Sequence, residues 1–254
     1  MTKPLFKDHF SGHAAEYAEF RPKYPPAVFD FVASLARRRL VAWDCATGSG
    51  QAAVPLTDYF ERVVATDASR EQIAHATPHP RVTYDVAPSH ASGLDAGSVD
   101  LETVAQALHW LPLDQFLAEV ERVLAPGGAL AVWCYTRPVL APDLDPTLLA
   151  FYSDRCGAYW PPERELVDSG YRTIELPLDE VAAPRLEIEA RLTLDEFVGY
   201  LRTWSAARKL AEAIGSDPVS EIEDAMRARW NEDGARRLVR WAIHFRAGRL
   251  RRDA

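Results

Sequence analysis

Cysteine is scarce in this chain of 254 residues: Cys45, Cys134 and Cys156 are the only three, and they show no paired metal-site spacing. The odd count points to free thiols in a reducing cytoplasm. No apolar run is long enough to span a bilayer, and the opening residues do not read as a signal peptide. Positive charge is in deficit, with 29 Lys and Arg against 37 Asp and Glu and a net charge of −8. That balance argues against nucleic acid as the main partner, and Arg246, Arg249, Arg251 and Arg252 read as a solvated basic tail. Repeats, low-complexity tracts and a domain linker are absent too. What remains is a globular composition, 48% hydrophobic and 26% charged, able to bury a sizeable core. The length suits one α/β domain carrying insertions.

The stretch Leu40 to Val54, LVAWDCATGSGQAAV, organises the rest. It reads as a buried strand, Leu40 to Asp44, then a small-residue loop, then a helix start with Pro55 in its first turn. Gly48 and Gly50, set among Ala46, Thr47 and Ser49, let a ligand approach the main chain. A second strand, Arg62 to Thr66, ends on Asp67. Strand, glycine turn, helix and a second strand ending in an acid is how a doubly wound sheet holds the ribose of a nucleotide-like cofactor. Gly48 to Ala53 also satisfies the dinucleotide fingerprint G-x-G-x-x-A, so a nicotinamide cofactor stays open on these residues alone.

Further along, Val28 to Leu35 reads as an amphipathic helix, and Ser69 as the N-cap of another. Arg81–Val86, Val99–Gln106 and Ala129–Tyr135 read as strands. Between the last two, apolar Phe116, Leu117, Val120, Val123 and Leu124 predict a helix capped by Asp114, with Glu119, Glu121 and Arg122 facing solvent. From Arg137 five prolines break up an aromatic segment holding Phe151, Tyr152, Tyr159 and Trp160, which reads as an insertion above the sheet's carboxyl edge. Tyr171–Leu176 and Arg185–Leu192 alternate as strands do. Thr193 or Asp195 caps a helix running through Tyr200, Leu201 and Trp204, and Asp217-Pro218 starts another that ends near Trp230. Arg237 to Arg246 alternates as an antiparallel edge strand would.

Asp44 to Gln51, D-C-A-T-G-S-G-Q, resembles the first motif of class I S-adenosylmethionine-dependent methyltransferases, with Ala46 in place of its first glycine. The Y-x-x-x-R-P-x-Y-P spacing from Tyr17 to Pro25 resembles a lid segment of one subgroup of that family. Gln106 to Trp110, Q-A-L-H-W, resembles the fourth motif as that subgroup writes it, and Leu124 to Gly128 its L-x-P-G-G element. Tyr200 to Ala206 is similar to the same subgroup, which includes the trans-aconitate methyltransferases.

The resemblance implies a Rossmann-like doubly wound α/β sheet of seven strands with an antiparallel C-terminal edge strand. It implies one domain: an N-terminal lid (1–35), a cofactor core (36–136), substrate-side insertions with strand six (137–236), and a final strand and tail (237–254). It further implies methyl transfer from S-adenosylmethionine, leaving S-adenosylhomocysteine, to a small-molecule acceptor at a carboxylate or hydroxyl oxygen. The expected cofactor residues are Tyr17, Arg21, Asp44, Ala46, Thr47, Gly48, Gly50, Gln51, Asp67, Ala68, Gln72, Ser89, His90, Gln106 and Ala107. Asp67 would take the ribose hydroxyls, and His90 stands where many relatives carry an acid near the adenine. Tyr24, His109, Trp110, Trp133, Trp160, Tyr200, Arg202 and Trp204 are expected around the acceptor. His109 is either a general base or a positioning group. No metal, nucleic acid or membrane partner is implied; a monomer or homodimer in the cytoplasm is expected. A NAD-dependent oxidoreductase and a catalytically silent cofactor-binding module are the alternatives.

Overall fold

In the computed structural model, which describes residues 20–230 and 234–251, the apolar run after Leu40 becomes a strand in the middle of a sheet. This strand, β1 (Val41–Cys45), lies parallel between β2 (Arg62–Asp67) and β4 (Val99–Ala105). Next to β2 comes β3 (Val82–Val86), and next to β4 comes β5 (Leu124–Tyr135), again parallel. The last strand, β8 (Arg237–Leu250), runs antiparallel to β5, from Leu130↔Gly248 to Tyr135↔Ile243. On the far side of β8 lie β6 (Leu178–Glu180) and β7 (Leu186–Leu192). The expected antiparallel final strand is therefore present. The sheet has eight strands rather than seven, because β8 is 14 residues long and pairs with two short strands end to end.

Side chains of β5 alternate between two cores, as the strand period demands. Ala129, Ala131, Trp133 and Tyr135 face one core, built with α1 (Pro26–Leu35) and the later helices α7 (Leu194–Arg202), α8 (Ser205–Ile214) and α9 (Val219–Trp230). Leu130, Val132 and Cys134 face the other, under α4 (Leu113–Val123), whose Phe116, Val120 and Val123 form its apolar stripe. Shorter helices fill the connections: α2 (Ala53–Leu56), α3 (Arg70–Ala74), α5 (Asp145–Ala150) and α6 (Arg164–Asp168). Ser69 caps α3, accepting from the Gln72 N–H. Thr193, not Asp195, caps α7, in a reciprocal capping box with Glu196. No helix of the described residues is long and apolar enough to cross a membrane.

Four local expectations change. Tyr171–Leu176 forms no strand: Gly170 and Tyr171 both take left-handed backbone, with φ of 64° and 60°, and the chain turns there. Asp114 lies inside the first turn of α4 rather than at its cap, where its charge still favours the helix N-terminus. Glu119 is buried, not solvent-facing, because it accepts from the Ser92 N–H and hydroxyl and pairs with Arg122. The helix through Tyr200 breaks at Thr203–Trp204, so Trp204 sits between α7 and α8.

The pairing of β6 with β8 depends on Gly248, where an added Cβ would overlap the Asp179 carbonyl. Gly248→Ala is expected to destabilise the fold by about 1–3 kcal/mol, or roughly 2–4 °C of melting temperature per kcal/mol, in a thermal scan.

Candidate active site

The parallel strands all deliver their carboxyl ends to one edge, and the order reverses between β1 and β4, where doubly wound sheets bind ligands. A cleft of about 750 Å³ opens there. Its floor is the turn after β1. Ala46, Gly48 and Gly50 take φ of 55°, 56° and 83°, so the turn uses left-handed backbone at three of five positions. Ala46 adopts a conformation that costs a non-glycine residue about 1–2 kcal/mol. Gly50 has a packing reason as well: the Tyr84 phenol, which donates to the Thr77 carbonyl at 2.7 Å, occupies the space a Cβ would need.

Two carboxylates shape this turn. Asp67 is almost buried; its Oδ2 accepts the Gly48 N–H at 2.9 Å and its Oδ1 the Ser69 N–H at 2.8 Å. Asp44 lies beneath the turn, 1% exposed, and accepts from the hydroxyls of Thr47 at 2.5 Å and Thr103 at 2.8 Å. Burial pushes its pKa up to about 6, with the Thr47 and Thr103 bonds opposing and the nearby Asp67 charge adding to the rise.

Above the turn, Gln51 donates to the Pro22 carbonyl at 2.9 Å, tying the incoming N-terminal segment to the loop. Arg21 reaches the Tyr135 hydroxyl at 2.9 Å and the Thr203 carbonyl at 3.3 Å, and lies 5.5 Å over the Tyr200 ring. At the end of β4, Gln106 takes a φ of 56°, and its side-chain amide pairs with both backbone groups of Tyr135. Its backbone N–H donates to the Trp133 carbonyl at 2.8 Å, so the side chain adds one further rung to the β4–β5 pairing. Beside it, His109 places Nδ1 2.8 Å from the buried Tyr171 hydroxyl. A second cavity, about 50 Å³, adjoins the cleft and shares Arg21, Gln106, His109, Trp110 and Tyr135 with it.

Comparison with known proteins follows this geometry. Residues 43–132 match the family model described as a methyltransferase domain. The chain is 30% identical over 249 residues to a candidate methyltransferase of Dictyostelium discoideum, covering 94% of this chain and 95% of that protein. The chain belongs to the class I S-adenosylmethionine-dependent methyltransferases. A solved structure of a candidate type II methyltransferase from Anaeromyxobacter dehalogenans is 46% identical, with a TM-score of 0.86 over 91% of this chain and 98% of that one. The chain is also 25% identical to the Saccharomyces cerevisiae protein CRG1, a candidate S-adenosylmethionine-dependent methyltransferase, over 85% of this chain and 86% of CRG1. These matches do not favour the nicotinamide reading or the silent module.

In this methyltransferase, Arg21, Ala46, Thr47, Gly48, Gly50, Gln51, Asp67, Ala68, Gln72, Ser89, His90, Gln106 and Ala107 all line the larger cleft. Asp44 stands behind that lining, and Tyr17 lies outside the described residues. Of the residues expected around the acceptor, Tyr24, His109 and Trp110 line the cleft, while Trp160, Tyr200 and Trp204 wall the second cavity. Trp133 does neither: it is fully buried in the core, edge-on to Tyr24. Arg202 does neither as well, pairing on the surface with Asp217 and Glu223. Three lining or supporting residues have no sequence motif to announce them. Arg164 follows the Trp160-Pro161-Pro162 run, where a charge beside clustered aromatics is a weak signal. Tyr135 ends β5 at the carboxyl edge, a place the sheet topology marks. Thr103 meets Asp44 only through the register of β1 with β4.

The raised Asp44 value makes stability depend on pH. Below about pH 4 Asp44 is protonated in both the folded and unfolded chain; between that and about pH 6 only the unfolded chain releases the proton. The contribution is thus fully present at low pH and lost as pH rises through 6. Denaturant unfolding at about pH 4 and about pH 7 should show Asp44→Asn gaining on the parent by roughly 2–3 kcal/mol across that interval.

Proposed function

We propose that this methyltransferase moves the methyl group of S-adenosylmethionine to an oxygen of a small acceptor that arrives as an anion, a carboxylate foremost. The observation that carries this reading is the second cavity. Trp160, Tyr200 and Trp204 wall it, and Arg164 lines it. The Arg164 Nε is engaged by the Tyr152 hydroxyl at 2.7 Å and Asp168 at 3.0 Å, whereas its two terminal amino groups make no hydrogen bond among the described residues. The guanidinium is stacked 4.7 Å from the Trp160 ring, which holds the fork in one plane. Arg164, rather than Arg202, is thus the cation suited to an acidic group on the acceptor.

The larger cleft fits S-adenosylmethionine. Asp67 lines the cleft, and a carboxylate at the end of the second strand is a group suited to receive ribose hydroxyls. His90 lines the cleft with a buried Nδ1 that lacks a hydrogen-bond partner among the described residues, a polar atom suited to an adenine edge. When bound, S-adenosylmethionine supplies a methyl on a cationic sulfur, so that an acceptor lone pair forms the new O–C bond while the C–S pair stays on sulfur. The chain's part is alignment and exclusion of water. Arg21, His109, Trp110, Gln106 and Tyr135 form the only lining common to both cavities among the described residues, and so stand where donor and acceptor would meet.

Titration calorimetry with S-adenosylhomocysteine should give binding to the parent protein and at least about tenfold weaker binding to Asp67→Ala, since hydrogen bonds to charged groups contribute about 1.5–3 kcal/mol. Absence of binding to the parent would overturn the cofactor assignment. In a mass-spectrometric screen of small mono- and dicarboxylates with S-adenosylmethionine, any methylated acceptor should lose about ten- to a hundredfold in kcat/KM in Arg164→Gln, with S-adenosylhomocysteine binding retained. Turnover of neutral acceptors alone would sink the anion reading.

A further inference from the structure

We infer that Tyr152 is a positioning residue for the acceptor: its hydroxyl confines the Asp168 carboxylate to Nε of Arg164, and so keeps the two terminal amino groups of that guanidinium open to an incoming anion. This rests on the reading that the second cavity takes the acceptor's anionic group.

Arg164 and Asp168 are the first and last residues of α6, at the four-residue spacing where an arginine and a carboxylate meet on a helix. A guanidinium beside a carboxylate commonly takes both oxygens with two parallel N–H bonds. In this chain Arg137 does so with Asp145, Arg155 with Glu221 and Arg246 with Glu180. Arg164 departs from that pattern. It donates to Asp168 through Nε alone, at 3.0 Å to Oδ1. The same Nε donates to the Tyr152 hydroxyl at 2.7 Å. That hydroxyl in turn donates to both Asp168 oxygens, at 2.8 and 2.7 Å. One phenol thus engages both oxygens of an acid that would otherwise pair with the fork. The terminal amino groups of Arg164 are left without a hydrogen bond among the described residues.

Tyr152 is itself held from several sides. It lies in a π-helical turn, Phe151–Arg155, followed by the Cys156 N–H on the Phe151 carbonyl at 2.9 Å, and such turns are frequent at functional sites. Its ring centre lies 4.9 Å from that of Trp160, whose indole N–H donates to the Tyr152 carbonyl at 3.1 Å. The Arg164 guanidinium rests against both rings, 5.3 Å from Tyr152 and 4.7 Å from Trp160. Two rings therefore set its plane, while the hydroxyl sets which nitrogen the acid takes. Burial pushes the Tyr152 pKa up, against the nearby Arg164 charge, so the phenol keeps the proton it donates. The Asp168 side chain is 42% exposed and that of Arg164 18%. Without the hydroxyl, this more exposed carboxylate can turn onto the fork and close the subsite with a charge from the chain itself.

The test follows the Arg164 Nε signal by nitrogen NMR in the full chain labelled with ¹⁵N-arginine, with S-adenosylhomocysteine present, as acetate is added at constant ionic strength. Arg164 is assigned by the signal lost in Arg164→Gln. The parent should show a saturable shift. Tyr152→Phe should bind acetate about tenfold more weakly, and Tyr152→Phe combined with Asp168→Asn should return to within about threefold of the parent. Lost packing or one lost hydrogen bond would not be rescued by that second change. Asp168→Asn alone should bind acetate at least as tightly as the parent, a result that decides the matter even if Tyr152→Phe does not fold. A parent with no saturable shift overturns the inference. So does a folded Tyr152→Phe protein that binds acetate as the parent does, a double variant no better than Tyr152→Phe, or an Asp168→Asn protein that loses acetate. Should the parent bind acetate at Arg164 while no carboxylate is methylated in the acceptor screen, the proposed function falls and the hold of Tyr152 on the anion subsite stands.

Discussion

The carboxylate of Asp67 joins two backbone turns that would otherwise have no reason to meet. One oxygen holds the Gly48 N–H in the turn after β1, the other the Ser69 N–H at the start of α3. One donor sits in a left-handed turn and the other at a helix start, places where the regular ladders supply no acceptor, and an unmet buried N–H costs about 1–3 kcal/mol. The Thr47 N–H adds a bond to the Thr66 carbonyl at 3.0 Å, so the turn is fastened to β2 at two points. With the turn fixed, the floor of the cleft is fixed, and with it the position of Gln51, which ties down the N-terminal segment. The same carboxylate raises the proton affinity of Asp44 behind it.

Backbone strain is concentrated around the same cleft. Among the described residues, three non-glycine residues take positive φ: Ala46 in the turn, Gln106 at the end of β4 and Tyr171 behind His109. Each has its own restraint. Ala46 is small, Gln106 is held by its N–H on the Trp133 carbonyl and by its side-chain amide on Tyr135, and Tyr171 is gripped by Leu166 and Arg246. A residue in a disfavoured conformation holds its side chain in one direction only while its surroundings forbid relaxation. Ala46 and Gln106 line the cleft, and Tyr171 stands behind His109, which lines both cavities.

Charge is divided between rim and interior in a way composition does not reveal. Arg202, Arg236 and Arg240 pair with acids on the outside, where such pairs contribute little. Arg21 and Arg164 turn inward and lie against Tyr200 and Trp160. An arginine over an aromatic face has its planar fork held in one orientation and partly desolvated, which suits it to an anion. Glu102, buried in the sheet with neither oxygen hydrogen-bonded among the described residues, is pushed toward its neutral form by burial. It lines neither cavity.

By itself the sequence determined the parallel strands and the final antiparallel one, the turn after β1 and the acid ending β2, because a period of two, small residues in a run and a carboxylate at a strand end are local signals. Local patterning also placed Ser69 as a cap and narrowed the cap of α7 to Thr193 or Asp195. What needs two distant segments was beyond it. Trp133 and Arg202 have the residue types of a binding site, yet one is sealed in the core and the other lies outside; strand facing and helix rotation decide that, not residue type. Alternation over Tyr171–Leu176 reads as a strand because the left-handed turn at Gly170 and Tyr171 is stabilised by Arg246 from β8, 75 residues away. Thr103 reaches Asp44, Arg164 reaches the second cavity and Tyr171 reaches His109 only once the sheet register and the insertion's packing are set. Those contacts depend on tertiary structure because a hydrogen bond needs its partner within about 3 Å, and the spacing of residues along a chain carries no record of that distance.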